Sequence, residues 1–362
     1  MTTIGVPAEV KDGERRFALD PAAVQTLTHA GHRVLVQADG GVGAGFSDAE
    51  YKESGADIVP EAGEAWAADV VVKVKEPQPS EYGFFRGDLV LFTYLHLAAD
   101  PGLTRELRDS GIAAYAYETL TEYGGLPLLA PMSEIAGRTA AIVGAAHLST
   151  REGGSGTLLG GAAGVPPARV VVVGMGVSGT MAARGARGLD AHVMGVDVNL
   201  TRLHQVAMEG TVNGTLASSN ATVGAQVEMA DLVIGAALVP GARAPIVVTE
   251  EHVARMRPGS VDVDLAIDQG GCIATSRPTT LSDPIYMVDG VVHYCVTNVP
   301  GQYPRTSSRA LSAAVAPRLL KLAADPEHPD LEGAANVVRG RIVHPAVAAA
   351  FAESESRGEA GA

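Results

Sequence analysis

Apolar positions in this chain fall mainly into short continuous runs, separated by glycine, proline and charged residues, with helix-length stretches between them. A β-branched run of four or five residues closed by a turn signal reads as a strand buried on both faces, the pattern of a parallel sheet covered by helices. On this basis the first third predicts strands over residues 3–7, 34–37, 70–74, 88–93 and 112–117. Helices are expected from Asp20-Pro21, where proline sits early in the first turn, and over 48–54 and 102–110. A glycine-rich turn spans 40–46. A long helix starts at Pro131, with Ser133 in its opening turn, and marks a crossover between domains. From Val170 the alternation resumes, with strands over 170–173, 192–196, 231–234, 260–263, 285–288 and 291–296. A helix over 304–322 returns the chain to the first domain, and 355–362, small and polar, read as a frayed tail. The pattern predicts an α/β protein of two Rossmann-like, doubly wound domains with a cleft between them. Residues 1–128 and 304–362 form one domain and 129–303 the other. No internal repeat shows beyond this alternation.

The stretch 168–197 organises the second domain. The run Val170–Val173 leads into Gly174-Met-Gly-Val-Ser-Gly179, then a helix of small and apolar residues over 178–189, a second strand, and Asp197. Gly174 suits a tight turn, Gly176 a close approach of backbone to a pyrophosphate, and Gly179 close packing of helix on strand. The helix start at Val177 and Ser178 presents unpaired N–H groups and the positive end of a dipole to phosphate. Asp197 stands where a carboxylate accepts from the hydroxyls of an adenosine ribose and repels a 2′-phosphate, which favours NAD over NADP. The alternative is a structural turn with Asp197 as a helix cap, but Asn199 is the better cap for the next helix. The glycine-rich stretch 153–164 lacks the Lys-Ser/Thr ending of a phosphate loop and reads as a flexible connection.

Composition narrows the partners. The chain has 362 residues and a formal net charge of −14, with pI near 5.1. That balance argues against nucleic acid or an anionic membrane as partner. No apolar run approaches the roughly 18 residues of a membrane span. A polar Met-Thr-Thr start followed by a strand shows no signal peptide. Cys272 and Cys295 are isolated, lack metal-ligand spacing and suit small core positions in a reducing cytoplasm. No pattern for a metal or a covalent nucleophile is present, so neither is expected.

Ligands in open α/β sheets lie beyond the carboxyl ends of strands. Three residues of the first domain fall there: Arg16 after the first strand, Lys75 closing the 70–74 strand, and His96 after the 88–93 strand. Two cations could clamp a small carboxylate with charge-assisted hydrogen bonds, and a histidine moves protons near neutral pH. In the second domain Asp268 sits in a glycine-bounded turn, suited to orienting the histidine or a substrate amine. Asp262 and Asp264 share one face of the preceding strand and are solvated or structural. The loop from Leu238 through residue 245 is expected against the cofactor, and Asn298 is suited to the nicotinamide carboxamide.

With these residues in hand, the chain resembles the alanine dehydrogenase family, including the related NAD-binding domain of transhydrogenase, over nearly its whole length. The matching stretches are Gly5-Val-Pro-Ala-Glu9, Lys73-Val-Lys-Glu-Pro77, Thr93-Tyr-Leu-His-Leu-Ala-Ala99, Leu128-Leu-Ala-Pro-Met-Ser-Glu134, Gly174-Met-Gly-Val-Ser-Gly179, residues 231–241, Asp264-Leu-Ala-Ile-Asp-Gln-Gly-Gly-Cys272 and Tyr294-Cys-Val-Thr-Asn-Val-Pro300. The resemblance implies reversible, NAD-linked oxidative deamination of L-alanine to pyruvate and ammonium, commonly by a homohexamer. It implies that Arg16 and Lys75 bind the substrate carboxylate and oxo group, that Met132 borders the substrate methyl, and that His96 and Asp268 are catalytic. Ser133, Asp197, Arg202, Ser218, Leu238 and Asn298 match positions near the cofactor. Departures fall at Val299, at Tyr303, at Ala313 and Arg318 of the return helix, and in the loop 12–16. They bear on oligomer contacts and substrate breadth. The alternatives are a dehydrogenase of the same fold for another small L-amino acid, or a non-catalytic nucleotide-binding module like that of transhydrogenase. The second is disfavoured by the joint presence of Arg16, Lys75, His96 and Asp268.

Overall fold

The computed structural model describes residues 1–238 and 244–359. Residues 239–243 of the loop expected beside the cofactor, and 360–362 of the expected tail, lie outside the described residues. The chain divides into two compact units, Met1–Met132 with Gly301–Ala362, and Ser133–Pro300.

The first unit opens with six strands, β1 (Thr3–Val6), β2 (Arg33–Gln37), β3 (Asp57–Val59), β4 (Val70–Val72), β5 (Val90–Thr93) and β6 (Ala113–Ala116). They lie in the order β3-β2-β1-β4-β5-β6, and every pair among them is parallel. This is the order of a doubly wound sheet, with its switch point between β1 and β4. Helices between the strands start where the sequence supplies caps. The Asp20 carboxylate accepts from Ala23 N–H at the head of Pro21–His29, and Ser47 and Glu50 form a reciprocal capping box on Asp48–Glu53. β4 ends two residues before the expected 74, because the Glu9 carboxylate and not a neighbouring strand takes the Val74 N–H, at 2.6 Å.

The second unit holds β7 (Arg169–Val173), β8 (His192–Asp197), β9 (Gly214–Ala217), β10 (Leu232–Gly235), β11 (Val261–Asp264), β12 (Ile285–Val288) and β13 (Val291–Tyr294). Their order, β9-β8-β7-β10-β11-β13-β12, repeats that of the first unit; only β12 runs antiparallel. The run in β7 is buried on both faces as its pattern predicts: Val170 and Val172 join one core, Val171 and Val173 the other. β13 stops at Tyr294, not 296, because the chain leaves β11 there to bridge Val296 with Thr279. Asp262 and Asp264 are both fully buried, which removes the solvated reading. Asp264 accepts from the N–H groups of Ala266, Cys272 and Ile273 and so builds the turn after β11. Cys272 and Cys295 are buried free thiols.

The chain then returns through the helix Pro304–Ala324 to β14 (Ala335–Val338) and β15 (Arg341–Ile342). β14 pairs antiparallel with β6, and β15 with β14, extending the first sheet. Arg318, one of the family departures, donates from Nε and Nη2 to both oxygens of Glu122 at 2.9 and 2.5 Å. The frayed tail expected from 355 is instead helical to Glu359, as the end of Pro345–Glu359. No helix among the described residues is long and apolar enough to cross a membrane.

Candidate active site

In the first unit three parallel strands deliver charged or aromatic residues just beyond their carboxyl ends. Beyond β1 lies Arg16, only 3% exposed. The Glu14 carboxylate receives its guanidinium in two hydrogen bonds, Nε at 2.7 Å and Nη2 at 2.5 Å, and also accepts the Arg16 backbone N–H at 2.9 Å. Burial opposes the charge on Arg16, but the Glu14 bonds outweigh it and hold the guanidinium protonated. Its Nη1 lies 3.2 Å from the Met132 sulfur, so two residues expected at the substrate touch each other.

Beyond β4 the sequence Lys73-Val-Lys75 splits its two lysines. Lys73 is buried, with Nζ 3.2 Å from Glu9 and 2.9 Å from Glu81. Burial disfavours its charge, and the two carboxylates more than reverse that, raising its pKa. Burial pushes the Glu9 carboxyl up, against the attraction of Lys73. Lys75 is half-buried, and its backbone is clamped from both sides. Its N–H goes to Glu9 at 3.3 Å, and its carbonyl accepts from the Thr93 hydroxyl at 3.0 Å.

Beyond β5 come Tyr94 and His96. Tyr94 is buried, donates to the Leu128 carbonyl at 2.6 Å, and has its hydroxyl pKa raised by burial. The His96 ring is exposed and lies parallel to the Tyr94 ring, with centroids 6.0 Å apart. His96 has φ 52°, ψ 33°, left-handed for a residue with a Cβ. Glu9, Glu14, Lys73, Glu81 and Tyr94 are not singled out by sequence reasoning. A lysine inside an apolar strand end, with glutamates in the flanking loops, is the one signal available.

In the second unit the glycine turn joins β7 to the helix Val177–Gly188. Gly174 has φ 92°, and a Cβ there would meet the Ala236 carbonyl at 2.7 Å; a Cβ on Gly179 would lie 1.8 Å from the Gly174 oxygen. Both positions exclude side chains. A Cβ on Gly176 would meet nothing within 4 Å, and the first turn of the helix has no side-chain cap. The open space and the N–H groups of Val177 and Ser178 fit a pyrophosphate. Asp197, at the end of β8, accepts from Met175 N–H at 2.6 Å and from Asn199 N–H at 2.8 Å, which leaves lone pairs on both oxygens for ribose hydroxyls. Asn199, not Asp197, caps the following helix through Arg202 N–H. Arg202 donates to the Met175 carbonyl at 2.6 Å and to the Thr180 hydroxyl at 2.7 Å, so Asp197 and Arg202 grip the same turn residue from opposite sides. Ser218 follows β9 and donates its N–H to the Asp197 carbonyl at 2.9 Å. Leu238 lies exposed after β10.

Asp268, on the short turn after β11, is exposed, and both its oxygens lie 3.3 Å from the Asn298 N–H. Ser133 is half-buried near the start of the helix Ala130–His147. The first unit thus gathers Arg16 and Met132. The second gathers the glycine turn, Asp197, Arg202 and Ser218, and separately Asp268 with Asn298. Among the described residues no group of three or more His, Cys, Asp or Glu is placed to hold a metal ion.

Strand order, glycine turn and terminal acid define the class: a two-unit α/β protein whose second unit is a nucleotide-binding one. Residues 5–136 match the family described as alanine dehydrogenase/PNT, N-terminal domain, and residues 140–345 its C-terminal domain. The chain belongs to the alanine dehydrogenase/PNT family. It is 48% identical over 353 residues to alanine dehydrogenase of Bacillus subtilis, covering 95% of this chain and 93% of that protein. It is 50% identical over 324 residues to alanine dehydrogenase of Mycobacterium tuberculosis, covering 88% and 87%. A solved structure of L-alanine dehydrogenase superposes with a TM-score of 0.92 at 47% identity, covering 97% of this chain and 99% of that one. The transhydrogenase of Sinorhizobium meliloti follows the same fold at a TM-score of 0.81 and 28% identity, covering 95% and 99%.

Proposed function

We propose that the protein catalyses the reversible NAD-dependent oxidative deamination of L-alanine to pyruvate and ammonium. The observation that carries this reading is the buried Arg16, held in its charged form by Glu14 and in contact with Met132. A fixed guanidinium beside a thioether suits a ligand with a carboxylate at one end and a small apolar group next to it. Residues 1–128 and 304–362 are assigned to the substrate, and 129–303 to the cofactor.

Arg16 takes the substrate carboxylate, and Lys75 neutralises the developing oxo group. NAD, when bound, supplies the hydride acceptor. Once the Cα hydride has gone to that acceptor, His96 takes a proton from the water that adds to the iminium carbon and returns it to the nitrogen, which leaves as the hydroxyl gives up its proton to form the oxo group and ammonium. Asp268 holds the amine or the water in place. Gly174, Gly176, Val177, Ser178 and Gly179 cradle the pyrophosphate, and Asp197 takes the ribose hydroxyls. Ser133, Arg202, Ser218, Leu238 and Asn298 complete the cofactor contacts.

We assign the reaction to the cytoplasm, which two buried free thiols support, and the assembly to a homohexamer on the strength of family membership. Light scattering that finds only monomer at micromolar concentration would overturn the hexamer. The test of the function is NADH production over a panel of L-amino acids, with NAD and NADP in parallel. L-Alanine with NAD should give the highest kcat/KM. Faster turnover of another small amino acid would move the substrate assignment. NAD binding without turnover of any of them would leave a nucleotide-binding module.

A further inference from the structure

Among the described residues, seven that are not glycine carry a positive φ: Asp39, His96, Tyr123, Asp190, Asp289, Asn298 and Arg339. Asp39, Tyr123, Asp289 and Arg339 each precede a glycine in a tight turn, and Asp190 closes the turn after the helix Val177–Gly188. His96 and Asn298 remain. Both come after parallel strands, and each is a candidate functional residue of its own unit. A residue held against its backbone preference persists because its surroundings fix it.

The group that fixes His96 is Glu118, on the turn just beyond β6, the strand beside β5. Its Oε1 accepts the His96 N–H at 2.6 Å, and both oxygens lie 3.2 Å from the Leu95 N–H. One carboxylate thus takes two successive N–H groups just after β5 ends. The His96 carbonyl in turn accepts from Ala99 N–H at 2.9 Å. Leu95 and Leu97 stay buried, at 0% and 3% exposure, while His96 between them is exposed. Without an acceptor at Glu118, two N–H groups beside a buried leucine lose their partner, and an L residue with freedom to relax leaves the left-handed region.

We propose that Glu118 is a positioning residue for His96: by gripping the Leu95 and His96 N–H groups it sets the place and direction of the imidazole in the reaction. This rests on the reading of His96 as the proton carrier. Glu118 has no proton-transfer role of its own here.

The test compares His96→Ala, Glu118→Ala, the double variant and Glu118→Gln, measuring kcat and KM for L-alanine, NAD affinity and melting temperature. His96→Ala should lower kcat by roughly 10²-fold or more. Glu118→Ala should lower kcat by about 10- to 100-fold through misplacement of the imidazole, with NAD affinity unchanged. Because Glu118 acts through His96, the double variant should be no slower than His96→Ala alone. Glu118→Gln keeps an oxygen for the His96 N–H and should stay within about fivefold of the parent. A Glu118→Ala protein that melts earlier but keeps its kcat overturns the proposal, as does a double variant whose losses multiply. His96→Ala with an undiminished kcat instead overturns the proton-carrier reading, and the positioning role with it. If Glu118→Ala does not fold, Glu118→Asp, with its carboxylate withdrawn by one methylene, takes its place. It should be slower than Glu118→Gln, and equal rates for the two overturn the proposal.

Discussion

The two units share one strand order and equip its strand ends in opposite ways. In the first, the turns after β1, β4, β5 and β6 carry side-chain charge: Glu9, Glu14, Arg16, Lys73, Lys75, His96 and Glu118. Much of that charge is buried in pairs. In the second, the turn after β7 carries almost no side chain, and its working groups are backbone N–H donors, a vacant Cβ position at Gly176 and the acid Asp197. A small organic anion offers few atoms, so recognition needs fixed, fully charged groups in a defined fork. A pyrophosphate offers many oxygens, and a helix end with glycine clearance meets them without any cation. On the proposed reading one framework serves both purposes, and the difference lies in the turn at the end of each strand.

Breaking the first pattern should have the largest effect. Glu14→Ala removes the carboxylate that takes two guanidinium hydrogen bonds from the buried Arg16, at a cost of roughly 3–5 kcal/mol in folding stability. The double change Glu14→Leu with Arg16→Met should recover most of that stability in urea unfolding, while turnover stays lost. Recovery of turnover in the double variant would remove Arg16 from the substrate site.

The second pattern is sharper at Asp197. Asp197→Ala withdraws the acceptor that holds Met175 N–H and, on the proposed reading, the ribose. NAD binding should weaken by roughly 10- to 100-fold, the worth of charge-assisted hydrogen bonds, and the preference against NADP should relax. Titration of NADH fluorescence measures both. Comparable turnover with NADP in the parent protein would remove Asp197 as the selecting residue.

The smallest expected effect lies where the second unit breaks its own pattern by burying titratable side chains. Asp262 is 0% exposed, and its Oδ2 lies 3.5 Å from Nε2 of His293. That histidine nitrogen is already 2.7 Å from the Thr275 hydroxyl. Burial first, and then the neighbouring Asp264 charge, push the Asp262 carboxyl well above the usual aspartate value. The folded state therefore favours the neutral acid. Stability is full below the ordinary aspartate pKa and is lost as pH rises through the folded-state value. Burial shifts His293 downward, so its contribution has the other sense, present above the ordinary histidine value and lost toward acid. Asp262→Val should stabilise the protein by about 1–2 kcal/mol at pH 8 and by less at pH 4, in melting curves taken at both. A gain that shrinks as pH rises would show that Asp262 is ionised in the fold.

How much of this was legible in the sequence divides along the same line. The glycine turn reads directly, because strand, glycines, helix and acid must come in one order, and Gly174 and Gly179 stand where a Cβ would strike backbone while Gly176 leaves its space open. The positions of Arg16, Lys75 and His96 at strand ends also emerge from locating apolar runs. Their partners do not. Glu9, Glu14 and Glu118 sit in polar turns and look like solvated charge until the tertiary fold buries Glu9 and Glu14 and brings Glu118 against the His96 N–H. The short edge elements escape for a related reason. β9 is a Gly-Thr-Leu-Ala stretch without a run of its own, β14 pairs on the edge that β6 offers, and β15 pairs on β14 in turn.

That last pairing orders events during synthesis. Ala335 pairs with Tyr115, so the edge of β6 stays open while everything between them is translated. The unit Ser133–Pro300 is continuous, and all of its strands are synthesised before β14 emerges from the ribosome. The segment that begins first is therefore finished last. Until then it carries an unpaired strand edge, the feature through which nascent chains recruit one another into aggregates. The four residues of β14 close that edge.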